Sequence, residues 1–323
     1  MDAMAAPELA PFRHEALLYS DDDEYRAGTV PLVRNAIERA EPVMVVAGPD
    51  KLDLLRAELG DDARAVLFAD MRVIGVNPGA IISEWREFVD HRAAAGGGPV
   101  WGIGEPVWPS RSPAELAECH RHECLLNAAF AHTPGFTLLC PYDVAALPPE
   151  VIQCAHESHP VVVANGEGRA SERYLGLDGL EHLLHGPLPE PAVQPEELSF
   201  DSSGLPALRV VVLDRARTAG FGEEAALDVV LAVNELTSNT VTYGGGEGVL
   251  RMWEEDGAVV VEVQDRGRIG DPLVGRQLPG GSGDPGGFGL WMVNQLAELV
   301  QVRSSEMGTA IRLHMRPRRV RRA

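Results

Sequence analysis

The chain has 323 residues, 45% of them apolar, with a formal charge of −20 at pH 7. That length predicts two domains, and the apolar share is enough to give each a core. The charge argues against sequence-independent binding to nucleic acid, because a polyanion would be approached against the overall field.

No apolar run reaches the roughly 20 residues that cross a bilayer. Residues 1–7 have neither the basic start nor the apolar middle of a signal peptide, so the expectation is a cytoplasmic protein with no membrane partner. A protein of basic or mixed charge is the easier partner. Residues 1–12 read as a tail, and so does the basic end at 317–323, where Arg318, Arg319, Arg321 and Arg322 follow Arg316.

From 13 to 165, strand-like and helix-like segments alternate. Residues 16–19 and 43–47 are short apolar runs bounded by turn residues, with a helix predicted over 30–39 between them. Residues 66–68 and 137–140 read as further buried strands, and 80–95 has helical spacing. Buried strands separated by helices predict an α/β layered domain with a mostly parallel sheet. The four cysteines (Cys119, Cys124, Cys140, Cys154) all lie in this half and are expected to be reduced. Cys119 and His122 would share a helical face, but the spacing from Cys119 to Cys124 fits no common structural zinc pattern. Residues 166–197 fade into glycine, proline and glutamate, with Pro187, Pro189, Pro191 and Pro195 close together. They read as a connector, with a short helix near 180–184.

A second domain begins near Leu198. The spacing predicts a helix over 223–241, with Leu227, Val230, Val233 and Leu236 on an apolar face and Asp228, Glu235, Asn239 and Thr242 on another. Glu235 and Asn239 then stand one turn apart and point the same way. Residues 249–253 and 258–263 read as a hairpin around Asp256-Gly257, and 309–315 alternates Ile311, Leu313 and Met315 with Arg312 and His314. An antiparallel sheet with helices on one face follows, an α+β sandwich. Three features recur in order: Glu235 with Asn239, Asp265-Arg266-Gly267, and the glycine-rich run ending Gly286-Gly287-Phe288-Gly289-Leu290. Singly they are a helix face, a turn and a loop. Together they specify a nucleotide pocket with a metal-binding amide, an adenine-reading carboxylate and a phosphate lid at 271–286.

Residues 198–316 resemble the GHKL ATPase superfamily, and within it the anti-sigma-factor serine kinases. The resemblance implies ATP and Mg²⁺ as cofactors. It implies that Asn239 helps bind Mg²⁺ and that Glu235 orients or deprotonates the attacking hydroxyl. Asp265 would accept the adenine amino hydrogen, and Gly267 would let the backbone approach the base. Gly287 and Gly289 match the second glycine box. There, amides at the start of a helix running from Leu290 to Glu298 would meet phosphate oxygens. Gly308-Thr309 would flank the adenine site.

The first domain is similar to the MEDS sensory domain through His14 to Tyr19, Gly104-Glu105-Pro106, Glu123 with Asn127, Cys140-Pro141-Tyr142-Asp143 and His159-Pro160. The resemblance implies a RecA-like layered fold. No Gly-x-x-x-x-Gly-Lys-Ser/Thr loop is present, so an ATPase in this half is not expected. His14, Glu105, Glu123 and His159 read either as a pocket for a small-molecule signal or as interior polar groups that satisfy one another. The whole then resembles an anti-sigma regulator that captures a sigma factor and phosphorylates a serine of a STAS-type antagonist. A sensor histidine kinase is the alternative, with His156-Glu157-Ser158-His159-Pro160 as phosphoacceptor box, although 166–197 holds too many breakers for a helical hairpin. A nucleotide-responsive binding module without kinase activity is a third. Oligomeric state stays open, a homodimer included.

Overall fold

The structure, a computed structural model, describes residues 9–94, 97–176, 186–278 and 287–317. It divides into two compact units: 1–75 with 84–180, and 76–83 with 181–323. No helix among the described residues is long and apolar enough to cross a membrane.

The first unit is built on a seven-stranded sheet. In chain order come β1 (Arg13–Tyr19), α1 (Asp22–Glu38), β2 (Val43–Ala47), α2 (Pro49–Leu59), β3 (Val66–Asp70), α3 (Met71–Ile74) and α4 (Ile81–Ala94). β4 (Val100–Gly104), α5 (Pro113–Ala129), β5 (Phe136–Asp143), α6 (Pro149–Ser158), β6 (Val161–Ala164) and β7 (Glu167–Ala170) follow. Spatial order is β3-β2-β4-β5-β1-β6-β7, parallel except for β7. All five residues of β2 are buried, as befits a strand covered on both faces. α1 starts earlier than its apolar spacing suggests. Asp21 caps it by accepting from the amides of Asp23 and Glu24, and three acidic residues occupy its first turn, where the helix dipole favours them. α5 is held by a capping box: Ser112 Oγ accepts from Glu115 N while Glu115 Oε2 accepts from Ser112 N, with Pro113 in the first turn. The start of the expected connector carries β7, antiparallel to β6 across Asn165-Gly166, both at positive φ as a tight hairpin turn requires. The helix expected near 180–184 lies outside the described residues.

The second unit contains β8 (Glu196–Asp201), α7 (Leu205–Thr218), α8 (Glu223–Tyr243), β9 (Glu247–Glu255), β10 (Ala258–Asp265), α9 (Phe288–Leu296), β11 (Leu299–Ser305) and β12 (Gly308–Met315). Its antiparallel sheet runs β11-β12-β10-β9-β8. β9 and β10 turn at Asp256-Gly257, both at positive φ. Along β10, Val259, Val261 and Val263 join the core with Val229, Val233 and Leu236 of α8 and Val293 of α9. Val260 and Glu262 face the other way, as a period of two demands. There Glu262, 1% exposed, accepts from Arg251 Nη1 at 2.9 Å and Arg312 Nε at 2.7 Å. Arg251 also reaches Glu190 and Arg312 reaches the Pro189 carbonyl, so the last part of the expected connector is laid against this sheet.

The buried stripe of α8 differs from the expected one. Val233 and Leu236 are buried, but Leu227 is 57% exposed, and the stripe is completed by Ala226, Val229, Ala232, Thr237 and Thr240. Small side chains let α8 lie close to its neighbours, and packing overrides the larger apolar pattern. α9 ends at Leu296 rather than running on to Glu298, because Ala297 is already extended.

Candidate functional site

Between α8, β10, β12 and α9 lies a cavity of about 330 Å³, within the range of roughly 300–1,000 Å³ usual for small-ligand sites. Its apolar walls come from Leu236, Val263, Ile269, Leu290 and Ile311; Asn239, Asp265, Gly267 and Thr309 give it polar atoms. Asp265 ends β10, and both its oxygens are fixed: Oδ2 accepts from Thr240 Oγ1 at 2.7 Å and Oδ1 from Gly267 N at 2.8 Å. Each oxygen keeps acceptor capacity for a ligand donor. Thr309 Oγ1 donates to the Gly267 carbonyl at 2.8 Å and accepts from Ser304 Oγ at 2.8 Å, which in turn accepts from Ile269 N at 2.8 Å. A Cβ on Gly267 would stand 2.8 Å from Tyr243 O and from Gly244 Cα, so glycine is needed where the two chain segments close on Asp265.

Glu235 and Asn239 are half-buried, one turn apart on α8. Opposite them, a Cβ on Gly289 would come 2.6 Å from Glu235 Oε2 and 3.6 Å from Asn239 Nδ2. The first turn of α9 therefore packs directly on the Glu/Asn pair, and only glycine leaves that space clear. Gly287 precedes the helix and its carbonyl accepts from Trp291 N. Of the residues expected to hold nucleotide, Asn239, Asp265, Gly267, Leu290 and Thr309 line one cavity. Gly287 and Gly289 stand beside it, and residues 279–286 of the expected lid lie outside the described residues. An amide oxygen at Asn239, a neighbouring carboxylate and a helix start with glycine at 287 and 289 suit a hydrated Mg²⁺ with its phosphates. Sequence reasoning missed Thr240 and Ser304. Thr240 adjoins Asn239 and is within reach of the signal; a lone serine on a strand carries none.

In the first unit, His14 of β1, Glu123 of α5 and His159 after α6 converge. His14 Nε2 is 3.0 Å and His159 Nε2 3.4 Å from Glu123 Oε2. Burial, then the neighbouring His159 imidazole, pulls His14 down to about 4. Burial alone would raise Glu123, but the His14 and His159 imidazoles beside it hold it well below the ordinary carboxylate range. Cys119 and His122 of the tempting Cys119–Cys124 segment do not join them. Burial pushes the Cys119 and Cys124 thiols up to about 12, which makes them unreactive.

Glu105 is not part of that cluster; its Oε1 accepts from Tyr19 Oη at 2.7 Å, beside Lys51. Burial, partly offset by the Tyr19 hydroxyl and Lys51, raises its carboxyl to about 7 from an ordinary 4.5. Between those values the folded chain keeps a proton that the unfolded chain has lost. Stability from this group is therefore complete below pH 4.5 and falls as the pH rises through 7. Glu105→Gln removes that loss while adding an amide N–H₂ of its own to satisfy. A gain on the order of 1–2 kcal/mol at pH 8 and none at pH 4 is expected. Urea unfolding of both chains at the two pH values checks it.

Comparison with known proteins finds one family model for each of the two units. Residues 13–160 match the family model described as MEDS, the methanogen/methylotroph DcmR sensory domain, and residues 198–315 match that of the histidine kinase-like ATPase domain. No curated protein matches the chain. Among solved structures, the RsbU and RsbW domains of Rv1364c from Mycobacterium tuberculosis share 21% identity at a TM-score of 0.30, over 43% of this chain and 40% of that one. The chain thus spans less than half the length of that structure. By its two family matches the chain carries a MEDS domain over residues 13–160 and a histidine kinase-like ATPase domain over residues 198–315.

Proposed function

We propose that the chain is a signal-responsive anti-sigma regulator. In this reading its second domain binds Mg-ATP and transfers the γ-phosphoryl group to a serine of a small STAS-type antagonist, which changes the partner a sigma factor keeps. The working division is a sensory domain at 13–165, a connector at 166–197 and an ATP-binding domain at 198–316. The observation that carries the reading is the packing of Gly289 on Glu235 and Asn239, with Asp265, Gly267 and Thr309 in the adjoining cavity.

Each residue has work that its position suits. Asp265 takes the adenine amino hydrogen, and the apolar walls hold the ring. The first amides of α9 and its positive dipole end face the phosphates. Asn239 offers an amide oxygen to the cation, and Mg²⁺, when bound, neutralises charge on the phosphate oxygens. Glu235 takes the serine proton as the hydroxyl oxygen bonds to phosphorus, while the bond from phosphorus to the β-γ bridging oxygen breaks and ADP leaves.

A histidine kinase is less well supported. His159 is fully buried with Nδ1 2.8 Å from Ala155 O, and His156 belongs to α6 of the sheet domain rather than to a helical hairpin. The test is incubation of the full chain with γ-labelled ATP, Mg²⁺ and the STAS-type antagonists of the same genome. Label on an antagonist serine is expected. ATP binding without transfer selects the non-catalytic module instead, and label on a histidine of the chain selects the histidine kinase.

A further inference from the structure

The buried cluster of the first domain contains a fourth donor. Cys140 Sγ of β5 lies 3.4 Å from His14 Nε2 and 3.5 Å from Glu123 Oε2. His14, Glu123, Cys140 and His159 are all buried, and one donor atom from each lies within 4.8 Å of every other. His14 and His159 are 2% and 0% exposed, and their rings are 4.0 Å apart.

What these atoms can do follows from their outer partners. His159 Nδ1 is 2.8 Å from the Ala155 carbonyl, which can only accept, so that nitrogen carries the hydrogen of a neutral ring. Asn127 Nδ2 donates to the Ser158 carbonyl at 2.8 Å, which turns Asn127 Oδ1 toward His14 Nδ1 at 3.1 Å and assigns that nitrogen the hydrogen as well. Both Nε2 atoms are left with lone pairs, and both lone pairs face Glu123 Oε2. In that state two nitrogen lone pairs and a carboxylate oxygen converge on one point, with the Cys140 thiol hydrogen directed at the same Glu123 Oε2. His159 Nε2 and Glu123 Oε1 have no hydrogen-bond partner, although both residues are buried. A cation at the centre would meet all of these atoms at once. Imidazoles whose second nitrogen is tied to a carbonyl or amide are the usual outer shell of a metal-binding histidine.

We infer that this cluster is a site for one divalent transition-metal ion of the zinc type, held by His14 Nε2, His159 Nε2, Cys140 Sγ and the Glu123 carboxylate. Bonds of about 2.0–2.3 Å from nitrogen, oxygen and sulfur to a tetrahedral ion put neighbouring donors about 3.3–3.8 Å apart. Of the four measured edges, 3.4, 3.4 and 3.5 Å lie within that span and 3.0 Å lies below it. Thiolate with imidazole selects zinc over magnesium or calcium. Four protein donors leave no open position, so the site holds or senses the metal and does no chemistry on it. On binding, the Cys140 thiol gives its proton to solvent.

The full chain purified from zinc-supplemented medium is expected to retain one equivalent of zinc by elemental analysis. After chelation, titration with Co²⁺ should produce the strong visible bands of a tetrahedral ion and a thiolate-to-cobalt charge-transfer band in the near ultraviolet. Cys140→Ser should lose the charge-transfer band. Asn127→Ala removes the acceptor that orients His14, along with the bond to the Ser158 carbonyl, but leaves all four donors in place, and should weaken cobalt affinity about 10- to 100-fold. Far-ultraviolet circular dichroism and the melting of the first unit, unchanged in each variant, show that it remains folded. Absence of stoichiometric metal from wild type, or a wild-type cobalt spectrum of octahedral, hydrated type, overturns the site. So does a charge-transfer band that survives Cys140→Ser.

Discussion

Glu235→Ala is expected to slow phosphoryl transfer by roughly 10²–10⁴-fold while ATP affinity stays close to that of wild type. Glu235 shares a helical face with Asn239 but does not line the cavity that Asp265 closes. On the proposed reading its carboxylate serves the incoming hydroxyl rather than the base. Truncation leaves α8 intact, since alanine is the best helix former and the buried stripe of the helix lies on other residues. Single-turnover transfer and calorimetric ATP binding, measured on the same preparation, separate the two effects. Equal losses in both would move Glu235 from the reacting oxygen to the nucleotide; intact transfer would remove it from the chemistry.

Asp265→Asn should weaken ATP binding by about 1.5–3 kcal/mol, or about 10- to 150-fold in affinity. The substitution is nearly isosteric, and an amide can still meet both existing partners, accepting from Gly267 N and donating to Thr240 Oγ1. What changes is the edge offered to the base. A charged acceptor becomes, on one side, a donor facing the adenine amino group. Calorimetry with ATP decides it, and unchanged affinity would sink the adenine assignment.

Much of this was legible in the sequence where chemistry and period coincide. Glu235 and Asn239 on a helix, Asp265 at a strand end and Asp256-Gly257 at a hairpin each combine a residue type with a spacing that local structure enforces. α5 was not legible by period. Glu118, Arg121, His122 and Glu123 are as buried as Leu125 and Leu126, so no polar stripe marks an outer face, although the Ser112–Glu115 box announces its start. Asn165-Gly166 likewise signals the β6–β7 hairpin, but glycine and proline beyond it read as connector. The stripe of α8 was misplaced because Leu227 outweighs Ala226 in hydrophobicity and not in fit. The fourth donor, Cys140, had no spacing to betray it, because its partners come from distant parts of the chain.

That distance has a consequence for how the protein is made. β1 lies inside the first sheet, between β5 and β6, with Arg13 opposite Thr137 and Glu15 opposite Val161. On the ribosome the earliest strand to emerge must wait for the latest ones before it gains either neighbour, so loop-closure entropy falls due late and the sheet forms slowly. Until then β2, β3 and β4 can pair only among themselves and present β4 as a bare edge. The half-formed sheet is exposed to chaperones and to aggregation until Phe136–Asp143 and Val161–Ala164 follow. Any N-terminal fusion or trimming that disturbs Arg13–Tyr19 would act on the middle of the finished sheet rather than on its border.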